Sequence, residues 1–152
     1  MSRVADRLTE LGLALPGVVP PVAAYVPAVR SGSHVFTAGQ LPMVGGQLPA
    51  TGLVGSDVTA EEAKDLARTC ALNALAAVGS VVELDSVTRV VKVVVFVASA
   101  PGFYGQPGVA NGASELLGEV FGEAGRHARS AVGVAVLPLN APVEVEVTVE
   151  VS

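Results

Sequence analysis

The residues able to do chemistry in this 152-residue chain gather near its C-terminus. Over residues 143–151, Val143, Val145, Val147, Val149 and Val151 share one face of an extended strand, and Glu144, Glu146, Thr148 and Glu150 share the other. Residues 128–137 alternate as well, with Val132, Val134 and Val136 opposite Arg129, Ala131, Gly133 and Ala135. The valine faces are expected to pack under helices. A hairpin that sets Leu137 against Pro142 places Ala135 beside Glu144 and Arg129 beside Glu150. Arg129 and Glu144 then stand about 20 Å apart, six residues at about 3.3 Å each. One pocket using both requires a second subunit. A guanidinium can grip a carboxylate with two parallel hydrogen bonds, and a carboxylate can hold a water and move its proton. The plain alternative is an Arg129–Glu150 ion pair beside a solvated glutamate stripe.

Other reactive residue types give weaker signals. His34 and His127 fall on different elements without metal-like neighbours, and Cys70 falls on an apolar helix stripe. Ser114 and Ser130 have no acid/base partner at a recognisable spacing, which argues against a nucleophilic hydrolase. Gly105 and Gly108 flank Pro107 as loop residues rather than as a phosphate-binding loop.

The elements that must position these residues can be read from periodicity. Residues 3–13 form a short leading helix, with Val4, Leu8 and Leu11 on one side and Gly12 and Pro16 ending it. Residues 23–29 and 34–38 are two strands turning at Ser31-Gly32. Thr59 and Glu62 are spaced as a capping box, and Ala63, Leu66, Ala67, Cys70, Ala74, Leu75 and Val78 continue from it as an apolar stripe. That is the first long helix, to about residue 78. Residues 86–98 are a valine-saturated strand, and 110–123 a second long helix. The order is helix, β, β, α, β, α, β, β. Two long helices against about five strands predict an α+β layer pair, helices on one face of the sheet. The whole chain, 1–152, reads as one domain with residues 1–20 as an N-terminal extension.

Composition narrows the function classes. Apolar residues make up 51% of the chain, which excludes disorder and suffices for a core. Thirty Val with no Ile, and seven Arg with two Lys, reflect codon bias more than structure. Net charge is −5 with no Lys/Arg run, so nucleic-acid binding is not expected. The single cysteine excludes an internal disulfide and fits a reducing compartment. Residues 11–29 lack charge, but Pro16, Pro20, Pro21 and Pro27 would break a membrane helix, and the acidic residues Asp6 and Glu10 suit no signal peptide. A cytoplasmic protein without membrane contact is expected.

Three segments bear a family resemblance. Thr37-Ala38-Gly39-Gln40-Leu41-Pro42 resembles the (T/S)-x-G-Q-(I/L)-P segment of the RidA/YjgF family. Arg129-Ser130, the Val-rich strand after it and Leu137-Pro138 resemble that family's R-S-x-V-x-V-x-x-L-P signature, and Val143-Glu144-Val145-Glu146 its closing strand. The match covers roughly residues 21–151. Asn111-Gly112-Ala113-Ser114-Glu115-Leu116 and Gly125-Arg126-His127-Ala128-Arg129-Ser130 look like marks of a distinct, N-terminally longer branch.

The resemblance implies a chorismate-mutase-like α+β fold, with two long helices on one face of a mixed sheet. It also implies a homotrimer with clefts between subunits and hydrolysis of reactive 2-imino or enamine acids to 2-keto acids and ammonia. Carried over, Arg129 matches the arginine that binds the substrate carboxylate, and Glu144 the glutamate that positions water. Tyr25 matches the pocket tyrosine, and Ala38 and Gly39 the backbone lining the cleft. The helix asparagine falls at Asn111 or Gly112. Many active members have Cys where this chain has Ala131. That departure keeps open a second reading, a trimeric binder or sensor of small carboxylates. No cofactor is implied, because a 2-imino acid already has an electrophilic carbon.

Overall fold

The computed structural model describes residues 2–18, 21 and 23–152. Of the expected N-terminal extension, Met1, Val19 and Pro20 lie outside the described residues. The elements are α1 (Arg3–Glu10), β1 (Ala28–Ser31), β2 (His34–Thr37), α2 (Ala60–Gly79), β3 (Val87–Ala98), α3 (Gln106–Phe121), β4 (Ala128–Val134) and β5 (Val143–Val151). Their order is the one the periodicity predicts. Several ends move: α1 stops at Glu10, and β1 starts later than residue 23. Helix α3 begins four residues earlier than predicted, with Pro107 in its first turn. Strand β4 ends at Val134 rather than residue 137. Thr59 caps α2 as its spacing predicts, accepting from the Glu62 amide at 3.1 Å.

The five strands run in the order β1-β2-β5-β3-β4, with β3 and β4 parallel and the other pairs antiparallel. This overturns the β4–β5 hairpin. Helix α3 links β3 to β4, and a strand–helix–strand connection returns parallel to its starting strand. β4 therefore takes the outer edge. The chain then passes a 3₁₀ turn at Pro138–Asn140, where Leu139 and Asn140 adopt positive φ, and enters the sheet on the far side of β3. The most regularly alternating strand, β5, thus fills the middle position.

Helices α2 and α3 cover one face. Leu66, Cys70, Leu75 and Val78 of α2, with Val109, Leu116 and Leu117 of α3, close over Val93, Val95, Val97, Val143, Val145 and Val147. Cys70 is fully buried as expected, and burial pushes its thiol well above the ordinary value, Glu144 adding to the shift. Register fixes the other face. Arg129, Ala131 and Gly133 align with Val93, Val95 and Val97, so they lie on the helix side. The expected placement of the β4 valines under the helices is reversed. Val132 is 43% exposed on the open face, three strands away from the exposed Phe36 of β2. Among the described residues no helix covers that face.

Helix α1 docks by its N-terminus on Asp85, which accepts from the amides of Arg3 and Val4, both at 2.9 Å, and from the Ser2 hydroxyl at 3.1 Å. The amide bonds, that from Val4 foremost, hold the Asp85 carboxyl below its ordinary value. A carboxyl depressed by folding stabilises at neutral pH, and that contribution disappears as pH falls through the folded value. Once acidification protonates Asp85, below the ordinary carboxylate range, the protection factors of amides in residues 2–10 should fall while those of the sheet hold. Asp85→Asn should bring the same loosening to pH 7. Equal protection of α1 before and after that protonation would contradict the anchor.

Candidate functional site

Arg129 projects from edge strand β4 toward the N-terminal half of α3. Its Nη1 donates to Asn111 Oδ1 at 2.8 Å and to Ser114 Oγ at 3.2 Å, and its Nη2 donates to the Pro107 carbonyl at 3.4 Å. These bonds use both hydrogens of Nη1 and one of Nη2, while Nε has no partner among the described residues; Nε with Nη2 is one of the two edges that grip a carboxylate in parallel. The expected Arg129–Glu150 pair does not form; Glu150 instead accepts from the Thr88 hydroxyl at 3.1 Å. Of the two α3 candidates, Asn111 touches Arg129, whereas Gly112 is buried against the Lys64 backbone of α2. Ala131 lies two residues along β4 on the same side as Arg129, opposite Val95.

Glu144 belongs to a different neighbourhood. It aligns with Phe96 on the open sheet face, beside Gly39. The pairings Phe36–Thr148 and Gln40–Val145 leave one extra residue on the β2 side, a bulge at Ala38-Gly39 that turns this segment over β5. A Cβ on Gly39 would stand 2.6 Å from Glu144 Oε1, so only glycine lets the carboxylate lie there. Burial raises the Glu144 carboxyl above its ordinary value, and repulsion from Glu146 adds to this. The Ala38 amide donates to the Pro27 carbonyl at 2.8 Å, which ties down the loop carrying Tyr25. Tyr25 itself is 59% exposed.

The expected site residues therefore form two groups. Tyr25, Ala38, Gly39 and Glu144 lie toward the β1–β2 side of the sheet, and Arg129, Asn111 and Ala131 lie at the β4 edge. Across β3, Arg129 aligns with Val147, two strands and three residues from Glu144. Spacings of about 4.8 Å between strands and 3.4 Å along them separate the two by about 14 Å, on opposite faces. That is shorter than the hairpin estimate and still too far for one small molecule.

One pairing was missed in the sequence. Ser114 Oγ lies 2.8 Å from His127 Nε2, and His127 Nδ1 lies 2.7 Å from the Gly125 carbonyl. Thirteen residues and two elements separate Ser114 from His127, so no local spacing announces the contact. The available signal was their occurrence in the two branch-marking segments. A groove of about 340 Å³ opens here, lined by Ser114, Gly118, Gly125, Arg126, His127 and Arg129. A larger groove of about 420 Å³ lies near Asp85 and Phe121, where it meets none of the expected site residues.

Known proteins share this fold. Residues 5–151 match the model of a family described as YjgF/chorismate mutase-like, putative endoribonuclease. Protein TCP17 of Trypanosoma cruzi is 48% identical over 154 residues, covering 99% of this chain and 95% of that one. The crystal structure of Atu1372 from Agrobacterium tumefaciens, a protein of unknown function, is 47% identical with a TM-score of 0.89, covering 97% of this chain and 91% of that one. E. coli TdcF with bound serine is 27% identical with a TM-score of 0.64, covering 90% and 93%. Among the described residues no helix is long and apolar enough to cross a membrane.

Proposed function

The chain belongs to the YjgF/chorismate mutase-like family, and from that premise we propose that it hydrolyses small 2-imino acids to 2-keto acids and ammonia at clefts between the subunits of a homotrimer. The observation that carries this reading is the division of the site into two halves at different places on one sheet. Cyclic assembly joins unlike surfaces of successive copies, so the Arg129–Asn111 half of one subunit meets the Glu144–Gly39–Tyr25 half of the next. The uncovered sheet face, with Phe36 48% and Val132 43% exposed, supplies apolar area to bury. TdcF, a relative, holds serine, a molecule with the carboxylate and nitrogen of a 2-amino acid.

In this arrangement the Nε–Nη2 edge of Arg129 binds the substrate carboxylate while Asn111 and Ser114 keep the guanidinium from turning. The neighbouring Glu144 holds a water against C2. As the water oxygen bonds to C2, Glu144 takes its proton and passes it to the nitrogen. Glu144 then takes the carbinolamine hydroxyl proton and gives it to the nitrogen, and the keto group forms as the C–N bond breaks and ammonia leaves. No cofactor is needed. Ala131 leaves more room beside the carboxylate than a cysteine would.

The test generates 2-iminopropanoate or 2-iminobutanoate in situ and measures ammonia or keto-acid release. Wild type should exceed both the uncatalysed rate and Arg129→Ala, and light scattering should give three times the 15.2 kDa chain mass. A monomer would remove the composite cleft. A trimer that binds 2-keto acids but turns over no imine would make the chain a carboxylate binder instead.

A further inference from the structure

The two branch-marking segments meet at a second constellation, whose His127 and Gly125 the imine reading does not use. A carbonyl can only accept, so in the neutral imidazole the Gly125 oxygen assigns the proton of His127 to Nδ1 and leaves Nε2 as an acceptor. Ser114 therefore donates its hydroxyl proton to Nε2 at 2.8 Å and accepts from Arg129 Nη1 at 3.2 Å. A base aimed at a hydroxyl, a third group orienting the base, and a cation beside the oxygen are the parts of an activated nucleophile. The cation favours the alkoxide over the alcohol.

The surroundings hold this arrangement in place. A Cβ on Gly125 would collide with the Leu117 carbonyl, so glycine there seats the orienting segment directly on the α3 backbone. Gly118, one helical turn beyond Ser114, leaves the groove wall open, with nothing within 4 Å of where its Cβ would be. The groove is lined by Arg126 as well as Arg129, so its walls favour an anionic or strongly polarised guest.

We propose that Ser114 and His127 form a second catalytic site, one that hydrolyses small esters by way of an acyl-serine. Ser114 Oγ bonds to the ester carbonyl carbon as its proton passes to His127 Nε2. The carbonyl oxygen takes up the electron pair and receives the Arg129 N–H that Oγ has given up, because that donor already stands 3.2 Å from Oγ. The imidazolium then protonates the departing alkoxide as the ester C–O bond breaks. Water, deprotonated by the same nitrogen, attacks the acyl-serine and regenerates Ser114 with release of the carboxylic acid. Every group required lies within one subunit. Arg129 and Ser114 also serve the imine site, as carboxylate clamp and as its holder, but the ester steps need neither a second subunit nor Glu144.

The test uses p-nitrophenyl acetate as substrate and a fluorophosphonate as covalent probe on the purified protein. Wild type should release p-nitrophenol faster than buffer, and mass spectrometry should place a single phosphonyl adduct on Ser114. Ser114→Ala should lose the adduct and about 100-fold in rate. His127→Gln can still accept a hydrogen bond but cannot take up a proton, and should slow labelling by a similar factor. Absence of labelling, an adduct on another residue, or equal hydrolysis by wild type and Ser114→Ala would each overturn the proposal. A folded Ser114→Ala with unchanged circular dichroism makes the comparison valid, and His127→Gln repeats it if that variant misfolds.

Discussion

Glu144→Gln should leave the protein folded and able to bind a 2-keto acid, while imine hydrolysis falls by about 10²–10⁴-fold. The amide nearly matches the carboxylate in shape and still hydrogen-bonds water, yet it cannot accept the water's proton. Geometry sharpens the prediction, because Gly39 admits the carboxylate to a position that a side chain would close. The acid limb of the rate profile should carry the signature of this residue. Burial, with repulsion from Glu146, raises the Glu144 carboxyl, so the basic form is lost on acidification at a higher pH than for an ordinary glutamate. Glu146→Gln removes the repulsion, and should keep the rate within a few-fold while moving that limb to lower pH. Loss of activity in Glu146→Gln with normal turnover by Glu144→Gln would transfer the role to position 146.

The sequence made some of this structure legible because some elements are fixed by local pattern. Strand β5 matches its expected residues to both ends, since five alternating valines leave no other register that buries them. Helix α2 starts where Thr59 caps it. Strand order was not legible in the same way. The β4 and β5 alternations are compatible with a hairpin, whereas β5 pairs with β2 and β3 and leaves β4 at the edge. The β4 valines misled for a related reason: alternation marks two unlike faces without saying which one meets the helices. Here Arg129 and Ala131 take the helix side, and Val132 takes the open face. For the site, family resemblance located Arg129, Glu144 and Gly39 on the chain. The Arg129–Asn111 and Ser114–His127 contacts are long-range consequences of α3 lying beside β4, and no spacing encodes them.

Gly112→Ala should be among the most destabilising single-methyl additions in this protein. In an exposed helix the change would gain up to about 1 kcal/mol, because alanine restricts the unfolded chain and favours helix. At position 112 the new Cβ would run into the backbone carbonyl of Lys64, with Lys64 Cγ 3.2 Å away. A carbonyl fixed inside α2 cannot rotate aside as a flexible side chain would, so α3 itself must move away from α2. Overpacking of this kind costs about 3 kcal/mol at the upper end of its usual range, leaving a net loss of about 2 kcal/mol. The displacement also reaches the site, because Asn111 and Ser114 flank Gly112 on the same helix and both hold Arg129. Gly118→Ala is the internal control, since it lies in the same helix with open space around it. It should raise the denaturation midpoint slightly, while Gly112→Ala lowers it and weakens 2-keto-acid binding together. Equal stability of the two variants in urea would mean that α2 and α3 do not touch backbone to backbone at Gly112.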